Sequence, residues 1–145
     1  MKAVINTCYG GFCLSHEAIL RYAEIKGITL YVEPTNSTLV PYNYYTVPKE
    51  LRVKEIPYKE FVTTPLPERI DYNKRCAEES LYARAIPRDD PALVQVVEEM
   101  GKAADGDCAR LEVVEIPDDV AWHIEEYDGN EHVAEDHRTW SCSVK

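Results

Sequence analysis

Two adjacent glycines, Gly10 and Gly11, stand in the stretch Asn6-Thr7-Cys8-Tyr9-Gly10-Gly11-Phe12-Cys13-Leu14-Ser15. Without a Cβ, paired glycines let backbone approach a ligand closely, and Ser15 opens a helix whose first N–H groups can face an anion. The stretch is neither GxGxxG nor a Walker A loop, because no GK[ST] ending follows. An anion site and a tight turn with no ligand are both readings of it. Arg88 precedes a second helix start, where its guanidinium can grip a phosphate or carboxylate with two bonds or pair with a neighbouring acid. In His137-Arg138-Thr139-Trp140 a cation and an indole are two residues apart, so on an extended strand they share a face. That suits a nucleotide, whose base stacks while its phosphate is bonded; the competing reading is an edge strand anchored by Trp140. With Asn6 at the head of the turn, and Tyr9 and Trp122 as further rings, the candidate ligand-binding set is Asn6, Tyr9, Gly10, Gly11, Ser15, Arg88, Trp122, His137, Arg138 and Trp140.

Other chemistry is less well supported. The histidines are His16, His123, His132 and His137, with neither HExxH nor HxH among them. His132 and His137 are five apart and would point to opposite faces of a strand, so no metal site is expected. The cysteines Cys8, Cys13, Cys76, Cys108 and Cys142 are odd in number, scattered and free of CxxC pairs, which predicts reduced thiols and no zinc ribbon. Paired acids such as Asp89-Asp90, Asp118-Asp119 and Glu125-Glu126 are adjacent, which is not catalytic geometry; Asp90 has a capping explanation and Asp118-Asp119 a turn explanation. GxSxG is absent. No catalytic residue and no cofactor is assigned.

The elements that must position these residues follow from periodicity. Lys2 to Thr7 reads as a buried strand, Ser15 to Lys26 as a helix stopped by Gly27, and Ile28 to Val32 as a second strand, giving a β-α-β opening. Residues 33–72 carry Pro34, Pro41, Pro48, Pro57, Pro65 and Pro67, together with Tyr42, Tyr44 and Tyr45. They are expected to be irregular with one or two short strands, an insertion or lid within a single domain spanning 1–145. The tyrosines read either as a recognition surface or as a half-buried aromatic strand. Asp71 to Arg84 is a polar helix candidate. Asp90 as N-cap and Pro91 at the first position start a helix to Ala103, whose Leu93, Val96, Val97 and Met100 stripe is core. Leu111–Ile116, Val120–Tyr127 and Glu131 to Trp140 read as strands, the last two joined by an Asp128-Gly129 turn. The fold class is α+β: a mixed or antiparallel sheet of about five strands with two main helices packed on it.

Composition narrows the class. The chain has 145 residues and 45% hydrophobic content, enough for one packed domain. No apolar run reaches the roughly 18 residues of a membrane span, and the first residues lack the apolar core of a secretory leader. Residues 1–72 balance eight basic against eight acidic side chains; residues 73–145 carry eight basic and 18 acidic, so the whole net charge of −10 lies in the second half. Such a surface repels a nucleic-acid backbone, which is held by neutralising its phosphates. It is either a solvated face or the complement of a basic partner.

Three stretches taken together carry a resemblance. Val4 to Ser15, the run Ile86-Pro87-Arg88-Asp89-Asp90-Pro91-Ala92-Leu93-Val94, and Ile116-Pro117-Asp118-Asp119-Val120-Ala121-Trp122 through His137-Arg138-Thr139-Trp140 resemble a family of small proteins encoded by tailed bacteriophages and prophages. The resemblance covers both ends of the chain and leaves the tyrosine- and proline-rich middle uncovered. Cys13 departs from it, standing where a small residue such as glycine is expected. It implies a counter-defence role in the cytoplasm of an infected bacterial host and carries no catalytic assignment. The expected function is a non-enzymatic binding protein that sequesters a nucleotide-derived immune signal, of cyclic-nucleotide or ADP-ribose type. One alternative is an acidic inhibitor docked on a basic surface of a host defence protein. Another is an enzyme using Cys8 or Cys13 with His16. Expected partners are therefore a small nucleotide-type ligand or a host protein, with no direct nucleic acid and no membrane; self-association is left open.

Overall fold

A computed structural model describes residues 1–142 and divides the chain into two compact units, Met1–Ile19 with Ile86 onward, and Leu20–Ala85. Among the described residues the architecture is α+β. The strands are β1 (Lys2–Asn6), β2 (Tyr31–Pro34), β3 (Tyr42–Tyr45), β4 (Leu111–Glu115), β5 (Trp122–Tyr127) and β6 (Asn130–Glu135). The helices are α1 (His16–Lys26), α2 (Tyr58–Phe61), α3 (Leu66–Glu78) and α4 (Pro91–Met100). The strands form three antiparallel pairs, β1–β4, β2–β3 and β5–β6, and not the single sheet of about five strands that the sequence suggested. The opening has the expected β-α-β order, but its two strands are not neighbours: β1 pairs with β4 and β2 with β3. Short strands explain this outcome: β2 has four residues and closes on Pro34, which has no N–H to extend a ladder.

In the first unit, Ala3, Val4, Ile5 and Asn6 are buried in succession, the pattern of a strand covered on both faces. Val4 lies opposite Val113. Helix α4 packs on β1 and β4 through the predicted stripe, with Leu93 and Val96 fully buried and Met100 half-buried. The Asp90 carboxylate accepts a bond from Ala92 N at 2.8 Å, capping the helix as its sequence predicts. The helix stops at Met100, short of Ala103, because Gly101 turns to φ +56° and the chain tightens into a 3-10 turn over Gly101–Ala104. Ser15 caps α1, its hydroxyl accepting from Ala18 N at 3.1 Å.

The β5–β6 hairpin turns through Asp128 (φ 50°) and Gly129 (φ 87°), the left-handed pair of a two-residue type I′ turn, with Tyr127 opposite Asn130. Strand β6 ends at Glu135, five residues before Trp140. Asp136 N still donates to Ala121 O at 2.8 Å, but the chain before Ala121 is the Pro117–Asp119 turn, so 137–140 have no ladder to join. The shared strand face inferred for Arg138 and Trp140 therefore does not exist.

In the second unit, β2 begins at Tyr31, three residues later than expected. Helix α1 ends in a double bond pattern in which Ile28 N donates to Ala23 O and Gly27 N to Glu24 O, with Gly27 at φ +69°. The prolines mark helix starts: Pro48, Pro57 and Pro65 are each the N-cap of a helical segment, and Pro67 lies in the first turn of α3. Hence α3 covers Leu66–Glu78 instead of Asp71–Arg84. Two charged side chains hold the proline-rich stretch. The Arg52 guanidinium stacks 3.6 Å from the Tyr45 ring centre and pairs with Glu33 at 3.0 Å, while the Glu79 carboxylate accepts from Val53 N at 3.0 Å. Tyr44 and Tyr45 are half-buried, and Tyr42 is exposed beside Tyr44.

Candidate functional site

The structure brings Asn6, Gly10, Gly11, Arg88 and the hairpin tip together in the first unit, around a carboxylate that the sequence reading left out. Asn6 is fully buried. Its amide nitrogen donates to Cys8 O at 2.8 Å and Gly129 O at 2.7 Å, and its side-chain oxygen accepts from Arg110 N at 2.8 Å. Its backbone N–H donates to the Glu131 carboxylate at 2.8 Å. One side chain thus fastens the end of β1 to the lead into β4 and to the β5–β6 turn.

Glu131 is the group at the centre. Arg88 holds it bidentately, Nη1 to Oε1 at 2.7 Å and Nη2 to Oε2 at 3.0 Å. The same guanidinium donates to Val4 O at 3.3 Å and lies 3.6 Å from the centre of the buried Phe12 ring. Glu131 is 8% exposed and Arg88 18%. Arg88 is therefore engaged with an acid of its own chain. The missed signal was positional: Glu131 follows the hairpin turn on the face it shares with Val133, which is half-buried.

The glycine turn is filled by protein. A Cβ on Gly10 would fall 1.8 Å from Cys108 O, and one on Gly129 would fall 2.5 Å from Gly11 N. Gly11 itself has φ +92°. Both halves of the Gly10-Gly11 pair therefore have a structural cause: close approach to Cys108 for the first, a left-handed backbone for the second. Ser15, besides its cap, donates from its hydroxyl to Ala103 O at 2.6 Å.

The remaining candidates lie apart from this knot or at its edge. Tyr9 is 65% exposed and Trp140 85%, so neither is a core anchor; Trp122 is half-buried on β5, and His137 and Arg138 are exposed. A depression of about 460 Å³ in the first unit is lined by Met1, Lys2, Glu115, Ile116 and Pro117 and includes none of the ten candidates.

The outer face of the hairpin carries a ladder of titratable groups. His123 Nδ1 faces Asp136 and Nε2 faces Glu125 at 3.1 Å, while His132 Nε2 meets the other Glu125 oxygen at 3.0 Å. Hydrogen bonds first to Asp136 and then to Glu125 hold the His123 pKa above its ordinary 6.5, and His123, then His132, hold Glu125 below its ordinary 4.5. Among the described residues no group of three or more His, Cys, Asp or Glu is arranged to hold a metal ion. The linkage has a definite sign. His123 supports the hairpin fully below pH 6.5 and less as pH rises through its raised value, whereas Glu125 does so above pH 4.5 and less as pH falls through its lowered value. Proton-detected titration should find His123 protonating at higher pH than an unperturbed histidine. Asp136→Asn should pull that midpoint down; an unmoved midpoint would refute the pairing.

Comparison with protein-family models, with curated proteins and with solved structures finds no match to this chain. Among the described residues no helix is long and apolar enough to cross a membrane.

Proposed function

We propose that the protein is a non-enzymatic binding protein whose first unit docks, through its acidic surface, on a basic surface of a partner protein, in the phage counter-defence setting that the sequence resemblance implies. The observation that carries this reading is the distribution of charge. The first unit contains six Lys/Arg against seventeen Asp/Glu, a net −11, so the second unit is left at +1. All of those acids except Asp90, Asp105 and Glu131 are exposed. Two of the six cations are already paired, Lys2 with Glu98 and Arg88 with Glu131. A surface of one sign steers a partner of the other and sets its orientation.

Capture of a nucleotide-type signal is the second reading. The exposed rings of Tyr9 and Trp140, with the exposed Arg138 close to Trp140 in sequence, favour it. The closed glycine turn and the engaged Arg88 weigh against it.

One experiment separates them. The protein is used to capture partners from bacterial lysate at low and high salt, beside a variant carrying Glu112→Gln, Glu115→Gln, Asp118→Asn and Asp119→Asn, and the captured material is heated to release small molecules. Docking predicts a basic protein that is retained by the parent, lost at high salt and weakened at least tenfold by the variant. A nucleotide released on heating, with no salt-sensitive protein, would replace this reading with the second.

A further inference from the structure

Two cysteines a hundred residues apart in sequence meet at the rim of the Asn6 knot. The Cys8 thiol donates to Cys108 O at 2.8 Å, and it also lies 3.3 Å from Asn6 Oδ1. Because a carbonyl oxygen is about 2.4 Å from its own Cα, the Cα of Cys108 lies within roughly 5 Å of the Cys8 sulfur. Gly10, two residues after Cys8, has no Cβ; one there would overlap Cys108 Cβ at 2.4 Å, so the Gly10 and Cys108 backbones are in contact. Cys8 is half-buried, Cys108 is exposed in the turn leading to β4, and neither is in a disulfide. Cys13 faces differently. Its sulfur would sit 2.6 Å from a Cβ on Gly106, and its thiol is directed at Leu14 O.

We propose that Cys8 and Cys108 are a thiol pair that closes to a disulfide on reaction with a low-molecular-weight disulfide. The exposed Cys108, as thiolate, attacks the oxidant and breaks its S–S bond. One thiolate leaves and takes up a proton equivalent to the one Cys108 lost. Cys8, having given its proton to water, attacks the Cys108 sulfur of the mixed disulfide and expels the second thiol. Two protein thiols become one disulfide, and one oxidant molecule becomes two thiols. The Cys8 sulfur already lies against the Cys108 backbone, and Cys108 stands in an exposed turn, so side-chain rotation with a small shift of that turn brings the sulfurs to bonding geometry. The bond would staple the end of β1 to the turn before β4. This inference does not depend on the docking reading.

The test uses the full chain and glutathione disulfide. After incubation, remaining thiols are alkylated and the peptides mapped by mass spectrometry. The expected product is lighter by two hydrogens, joins the Cys8 and Cys108 peptides, and reverts with dithiothreitol. It should form equally in Cys13→Ala and be lost in Cys108→Ser, where the exposed side chain leaves the fold intact. Glutathione that stays on Cys108 without exchange, a bridge running through Cys13, or no reaction at either cysteine would overturn the proposal.

Discussion

Replacing Glu131 by Gln is expected to destabilise the first unit by about 3 kcal/mol, because the change leaves a guanidinium without its anion in a largely dry setting. The carboxylate accepts from both Arg88 nitrogens and from Asn6 N, so one substitution weakens three bonds at once. Arg88→Met should cost a similar amount, since Glu131 is only 8% exposed and would be left with a single backbone donor. The double variant Arg88→Met with Glu131→Leu should be less damaging than the sum of the two, as no unpaired ion remains. Urea denaturation of the four proteins measures these differences. If both single variants fall within about 0.5 kcal/mol of the parent, the pair is a surface ornament and its central place in the knot is wrong.

Gly129→Ala is expected to be nearly as harmful, for a different reason. The φ of +87° costs an L-residue about 1–2 kcal/mol. The added methyl would also lie 2.5 Å from Gly11 N and 2.9 Å from Gly11 Cα, and backbone yields less readily than a side chain. Overpacking of this kind adds about 1–3 kcal/mol. Asp128→Gly makes the control: it relaxes the neighbouring left-handed residue and adds no atom, so its effect should be small or stabilising. A Gly129→Ala protein that melts with the parent would show that the hairpin tip does not press on the glycine turn.

Local signals in the sequence were legible where one residue acts on its own neighbours. Asp90 and Pro91 start α4, Ser15 and Gly27 bound α1, and Asp128-Gly129 turns the hairpin, because each effect is completed within a few residues. The proline-rich middle holds the short strand expected there, β3, but also helices that its prolines concealed. Proline was weighed as a breaker of helices, whereas Pro57, Pro65 and Pro67 occupy positions at helix starts where its missing N–H costs nothing. What could not be read was long-range pairing. Nothing local to Val4 selects Val113, and nothing near Arg88 selects Glu131. The same gap hid the partners of the candidate site residues. Gly10, Asn6 and Arg88 have the chemistry of an anion site, but their partners come from residues a long way along the chain, and those partners belong to the protein.

The span of those contacts also governs the order in which the molecule can be made. During synthesis β1, with its four consecutive buried residues, emerges before the strand it pairs with, since β4 follows more than a hundred residues later. Asn6 waits longer still, for Gly129 and Glu131. The unit spanning Leu20–Ala85 has no such delay, since its strands, its helices and the Arg52 and Glu79 contacts are all complete by Ala85. Long-range pairing slows folding and leaves apolar strands uncovered in the meantime. The nascent chain therefore exposes Ala3-Val4-Ile5 until α4 and β4 have been made, and the β5–β6 hairpin then supplies the last partners of Asn6.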